Sequence, residues 1–148
     1  MKAVERTTDE AQIRAIIEDY AEGLRHKDAD RCVSHYADDV AQFDLAPPLE
    51  NRGKETARKN LAEWFKTFDG PIGVEIAGLQ VSAGTVAGFA YCMNHISGTS
   101  IHGQKNDHWV RVTIGFQKTD AQWLVTHEHV SVPFYMDGSF KAALDLKP

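Results

Sequence analysis

Among the many side chains in this sequence of kinds that move protons, Tyr20, Asp44 and Glu128 are the candidates for one acid–base site. Asp44 stands among Phe43, Leu45, Ala46 and Pro47. A carboxylate there is expected to lose hydration, the condition under which it becomes useful as a general base. Tyr20 offers a neutral hydrogen-bond donor, which acts far more strongly on developing negative charge in a dry pocket than in water. Glu128 sits between two histidines, and His127-Glu128-His129 also carries a second chemistry, because HxH alternation on a strand puts two imidazoles on one face at ligand spacing. His95, His102 and His108 are further imidazoles. Each residue has an ordinary role open to it as well. Asp44 can open the turn before Pro47, Tyr20 can be core with a satisfied hydroxyl, and Glu128 can be a strand carboxylate or the partner of a base.

The elements that must position these residues fall into two halves. Thr7 to Glu10 matches a capping box, and Ile13, Ile16, Ile17, Tyr20 and Leu24 recur at one-face helical spacing, which predicts a helix over about residues 8 to 26. Asp28 starts a second, short helix with the stripe Ala29, Cys32, Val33 and Tyr36, ending near Asp38-Asp39. Residues 40 to 45 read as extended until Pro47-Pro48, and a third helix runs from near Gly53 to the breaker Asp69-Gly70-Pro71, with Ala57, Leu61, Trp64, Phe65 and Phe68 on its face. Beyond it the period changes to two. Ile72, Val74 and Ile76 alternate up to an expected bulge at Ala77-Gly78, and strands follow over about 86 to 96, 108 to 117 and 123 to 132.

Helices first and antiparallel strands afterwards predict an α+β fold with helices covering one sheet face. Centring the polar Ser97–Asp107 loop near Ile101 and His102 sets His95 opposite His108, Met93 opposite Val110 and Tyr91 opposite Val112. A hairpin centred near Asp120 sets Val112 beside Glu128 and Val110 beside Val130. The inner face is then expected to carry Phe89, Tyr91, Met93, Val112, Val130 and Glu128, with His95 and His108 near it and Trp64 supplied by the third helix. The outer face would carry Trp109, Arg111, His127 and His129. This parity splits the histidines two to a side, so no functional metal site is expected, and interface packing is the better account of His127 and His129.

The segment Tyr20-Ala21-Glu22-Gly23-Leu24, Asp28 and Tyr36-Ala37-Asp38-Asp39-Val40-Ala41-Gln42-Phe43-Asp44 resembles the opening of the ketosteroid isomerases and of the wider SnoaL-like, NTF2-like superfamily. The resemblance implies a cone, a curved, mostly antiparallel sheet wrapped round helices with a pocket at the wide end, and dimers formed through the outer sheet face. It also implies roles: Tyr20 matches the tyrosine that donates to the oxyanion and Asp44, 24 residues later, the aspartate that shuttles the proton. The family's second donor is a carboxylic acid kept neutral by its surroundings. That position aligns with Val112, which cannot donate, so Glu128 is expected to supply the acid from the neighbouring strand. The last strand, Trp123 to Ser131, is similar to the end of the association domain of calcium/calmodulin-dependent kinases, with Val130 where those domains carry a cavity arginine.

The 148 residues suit one domain spanning the chain, 43% hydrophobic and 25% charged. With 21 acidic against 16 basic residues, nucleic acid is not an expected partner. No apolar run reaches membrane-spanning length and the N-terminus lacks a secretory apolar stretch. Two cysteines without CxxC spacing suggest reduced thiols and a cytoplasmic protein. No Gly-rich phosphate loop or nucleophile elbow is present, so no cofactor is expected. The expected function is isomerase- or cyclase-type proton transfer on a small apolar carbonyl compound by a homodimer, with a non-catalytic ligand-binding or oligomerisation domain as the alternative.

Overall fold

The computed structural model describes residues 3–148, and side chains from Thr8 onward. Helix α1 (Ala3–Arg25) buries Ile13, Ile16, Ile17, Ala21 and Leu24 along one stripe. It starts earlier than the capping box predicts, which places Glu10 inside the helix; the Thr7 side chain lies outside the described residues. Lys27 turns the chain at φ 55°, and Asp28 caps α2 (Ala29–Cys32) by accepting from the Arg31 amide at 3.0 Å. This second helix is one turn, shorter than expected, because the chain goes extended at Tyr36 to begin β1 (Tyr36–Phe43).

After β2 (Asn51–Arg52), Gly53 at φ 97° leads into α3 (Lys54–Phe65). The helix stops before Phe68, which opens β3 (Phe68–Ala83) rather than ending the helix. Strands β4 (Ala87–Ser100), β5 (Lys105–Thr119) and β6 (Gln122–Ser131) complete a six-stranded sheet in the order β2-β1-β6-β5-β4-β3, antiparallel except for the parallel β1–β6 pair. The expected bulge is present: Gly78 takes φ 66° and the β3–β4 register shifts between Ala77 and Gln80. Among the described residues no helix is long and apolar enough to cross a membrane.

The pairing of β4 with β5 differs from the expectation by one residue. Asn94 lies opposite Val110, Cys92 opposite Val112 and Ala90 opposite Ile114. Because side chains alternate, a slip of one moves a whole strand's set to the other face. Ala90 and Cys92 are therefore buried against the helices, whereas Phe89 and Tyr91 are each 50% exposed on the outer face. At Gly88, on the same face, a Cβ would stand 2.8 Å from the Ser82 carbonyl oxygen of β3 and 3.3 Å from Ile13 Cδ1, so that position has no room for a side chain.

Candidate functional site

Glu128 reaches the interior through a ladder irregularity. Trp123 and Val125 point inward on β6, and strict alternation would then send Glu128 outward. Phe116 pairs with Val125 and Gly115 with His127, so Thr126 is skipped and the alternation resets. Glu128 and Val130 enter the concave face, with Glu128 opposite Ile114 and Val130 opposite Val112. The sequence reading set Glu128 beside Val112; the true shift is two residues, which keeps its face and makes the pair diagonal neighbours. On β1 the inward set is Val40 and Gln42, and Asp44 continues it just past the strand.

The Glu128 carboxyl is 6% exposed. Tyr36 donates its hydroxyl hydrogen to Oε2, and Gln42 Nε2 donates to the same oxygen at 3.3 Å. Oε1 takes no hydrogen bond among the described residues and is not fully enclosed, and Glu128 borders two internal spaces. Burial holds the Glu128 carboxyl above its ordinary value; the Asp44 carboxylate adds to the rise, and the bonds from Tyr36 and Gln42 oppose it. The ring of Tyr20 stacks on that of Tyr36 at 6.2 Å between centroids. Burial and the nearby Glu128 charge push both phenols well above their ordinary value, keeping them protonated.

Glu128, Gln42 and Tyr20 line one end of a cavity of about 540 Å³. Its walls are Leu24, Leu61, Trp64, Phe68, Ile96, Val110, Val112 and Val130, with Asn94, Asn106 and His108 as polar interruptions and Asp44 to Pro48 at the rim. A second space of about 30 Å³, enough for a water molecule, lies beyond Glu128 and Tyr20 toward His35 and Cys32. Burial raises the thiol of Cys32 to about 12 and that of Cys92 to about 11, so neither is a thiolate at neutral pH.

Of the residues expected at the site, Tyr20, Asp44, Glu128, Trp64, Val112, Val130 and His108 line this cavity. Phe89, Tyr91, Met93 and His95 do not: the one-residue slip of β4 turns them outward, where Phe89 stacks on Tyr91 and His95 stacks on Trp109 at 4.9 Å. Asp44 also departs from the expectation of dehydration. It is exposed, as are Phe43, Leu45, Ala46 and Pro47 around it, and it accepts from the Leu45 amide at 2.7 Å.

Trp109, Arg111, His127 and His129 lie on the outer face. His127 Nδ1 bonds the Ala41 carbonyl at 2.8 Å, Phe43 meets both imidazoles edge-on, and Arg111 Nε donates to Ser131 Oγ at 3.2 Å. Among the described residues no group of three or more His, Cys, Asp or Glu side chains could hold a metal ion. Sequence reasoning missed Tyr36, Gln42, Asn94 and Asn106. A period-two reading begun at Tyr36 would have put Tyr36, Val40, Gln42 and Asp44 on one face.

Residues 13–135 match the profile of the SnoaL-like domain. No curated protein matches the chain. Among solved structures, an NTF2-like protein of unknown function from Pseudomonas putida KT2440 is 31% identical, with a TM-score of 0.86 over 96% of this chain and 98% of that one. A ketosteroid isomerase-like protein from Erwinia carotovora atroseptica is 18% identical, with a TM-score of 0.71 over 83% and 95% of the two chains. A scytalone dehydratase-like protein from Novosphingobium aromaticivorans is 14% identical, with a TM-score of 0.77 over 93% and 92%. The sheet order, the concave cavity and these matches agree: the chain belongs to the SnoaL-like family of the NTF2-like superfamily.

Proposed function

We propose that this protein is an acid–base enzyme that catalyses proton transfer, of isomerase or cyclase type, on a small and mostly apolar carbonyl compound. The observation that carries the reading is the buried Glu128 carboxyl, with both internal bonds on Oε2 and none on Oε1, in the wall of a cavity of about 540 Å³ that Tyr20 also lines. With both internal donors on Oε2, a proton held by the carboxyl resides on Oε1 and points at the ligand. Protonated Glu128 and Tyr20 then form two neutral donors to a substrate carbonyl oxygen, whose charge grows as the adjacent carbon loses a proton. Asp44, at the rim on the same strand face, is the carboxylate that takes that proton. The apolar walls exclude water from the reacting end.

The solvent exposure of Asp44 and its bond to the Leu45 amide favour a second reading, a binding domain without turnover. Exchange of α-hydrogens for deuterium in a panel of enolisable ketones, followed by proton NMR, separates the two. Wild type is expected to accelerate exchange for at least one ketone, with Asp44→Asn and Glu128→Gln each slower by about 10²-fold or more. Equal rates in wild type and Asp44→Asn remove Asp44 as the base. A ketone that binds but never exchanges establishes the non-catalytic reading.

A further inference from the structure

Beyond Glu128, Tyr20 and Asp44 the cavity is lined by further polar side chains, among them Asn94, Asn106 and His108, that play no part in the proposed reaction. On β5 the inward set continues from Ile114, the partner of Glu128, through Val112 and Val110 to His108 and Asn106. His108 is six residues from Ile114, about 20 Å of strand. Ile96, opposite His108, belongs to the same wall. Neither the His108 imidazole nor the Asn106 amide makes a side-chain hydrogen bond among the described residues, although each is half-buried. No fully buried side-chain polar atom there lacks a partner, so their polar atoms remain reachable from the space they line.

We propose that His108 and Asn106 form a distal polar subsite that hydrogen-bonds a neutral oxygen, a hydroxyl or a carbonyl, at the far end of an elongated ligand whose near end meets Glu128 and Tyr20. Burial favours the uncharged imidazole, against a pull the other way from Asp107 on the opposite face. A neutral imidazole carries one donor and one acceptor, and an amide carries both. Such a pair suits a hydroxyl. It suits an anion poorly, because Asp44 and Glu63 border the same space. Between the two ends the wall is Leu61, Trp64, Phe68, Val110 and Val112, with Asn94, whose Oδ1 accepts from Cys92 Sγ at 3.4 Å, as the polar exception opposite Val110, so the middle of the ligand is mostly apolar. A rigid two-ring spacer with oxygen at each end meets these demands. The near end of this ligand rests on the proposed Glu128 site, but its recognition requires no turnover.

The test is equilibrium binding to the full-length protein by calorimetry, with trans-4-hydroxystilbene and the longer-reaching trans-4,4′-dihydroxystilbene as probes. One neutral hydrogen bond changes affinity severalfold and two change it more, so wild type is expected to prefer the diol by about tenfold. His108→Phe and Asn106→Leu should each cut that preference to about twofold or less, while His108→Gln, which keeps a donor and an acceptor, should retain most of it. Glu128→Gln should alter the affinity of both probes together and leave their ratio intact. A protein that binds with this pattern but exchanges no α-hydrogen would lose the enzyme reading and keep the subsite. The subsite is overturned if wild type shows no preference, binds neither probe, or keeps its preference in folded His108→Phe.

Discussion

Tyr36, the first residue of β1, gives its hydroxyl hydrogen to the carboxyl of Glu128 on the neighbouring parallel strand, 92 residues away in sequence. The bond ties the start of β1 to the last strand at the small space that both residues line. Because Gln42 adds a second bond to the same oxygen, at 3.3 Å, the carboxyl is fixed at Oε2 from two sides and Oε1 is left without either donor. Preorganisation of this kind keeps reorganisation out of the reaction step.

A carboxyl held this way should cost the fold stability wherever it is ionised. Its folded value is raised, so its contribution is fully present below the ordinary carboxylate value and is lost as pH rises through the folded value. Glu128→Gln removes the titration and keeps a carbonyl oxygen to accept from Tyr36 and Gln42. The variant is expected to gain on the order of 1 kcal/mol relative to wild type at pH 8, with the gain disappearing toward pH 4, while losing activity. Urea unfolding of both proteins at the two pH values reads this out. A difference that does not change with pH would show that Glu128 titrates alike in the folded and unfolded chains.

Gly23 tests how tightly α1 is seated. Alanine in a helix interior normally gains about 0.5–1 kcal/mol over glycine. Here a Cβ would stand 2.7 Å from Cys32 Sγ and 3.0 Å from the Cys32 backbone nitrogen, and a backbone atom cannot swing aside. Overpacking of this sort costs about 1–3 kcal/mol, so the clash outweighs propensity. Gly23→Ala is expected to lower the urea midpoint with little change in slope. Adding Cys32→Ala should recover only part of the loss, since the backbone contact stays. A midpoint equal to or above wild type would mean that α2 shifts away freely.

Where the sequence could be read correctly, one element dictated the pattern. The Ile13, Ile16, Ile17 and Leu24 stripe and the Ala77-Gly78 bulge depend on local spacing alone. What could not be read depended on where two elements meet. The loop between Ser97 and Asp107 does not announce its centre, and a single residue of error exchanged Ala90, Cys92 and Asn94 for Phe89, Tyr91 and Met93. Thr126 leaves no composition signature as the skipped residue, and Glu128 kept its inward place only because the bulge and the turn at Asp120 and Ala121, with φ 50° and 63°, together moved the register by an even number. Tyr36 continued a helical stripe in the sequence, yet its hydroxyl is satisfied by Glu128 only from a strand.

The residues that the β4 slip turns outward bear on self-association. Phe89 and Tyr91 are each 50% exposed and Phe43 is 40% exposed, and with Trp109, Arg111, His127 and His129 they make the convex face aromatic, its acids Asp107 and Glu75 gathered at the His95 end. A patch of this composition suits a second copy of the chain related by a twofold axis, in which each residue is presented twice. Arg111 lies near the middle of the patch, opposite Met93 on one side and Ser131 on the other. Arg111→Glu would therefore set two new negative charges into one interface, and like charges brought together there cost several kcal/mol. Sedimentation velocity is expected to give twice the chain mass for wild type and a shift toward the single-chain mass for Arg111→Glu, with an unchanged thermal midpoint at low concentration. A variant that keeps the wild-type mass would place any interface elsewhere, and a wild type at single-chain mass would leave this face without a second copy.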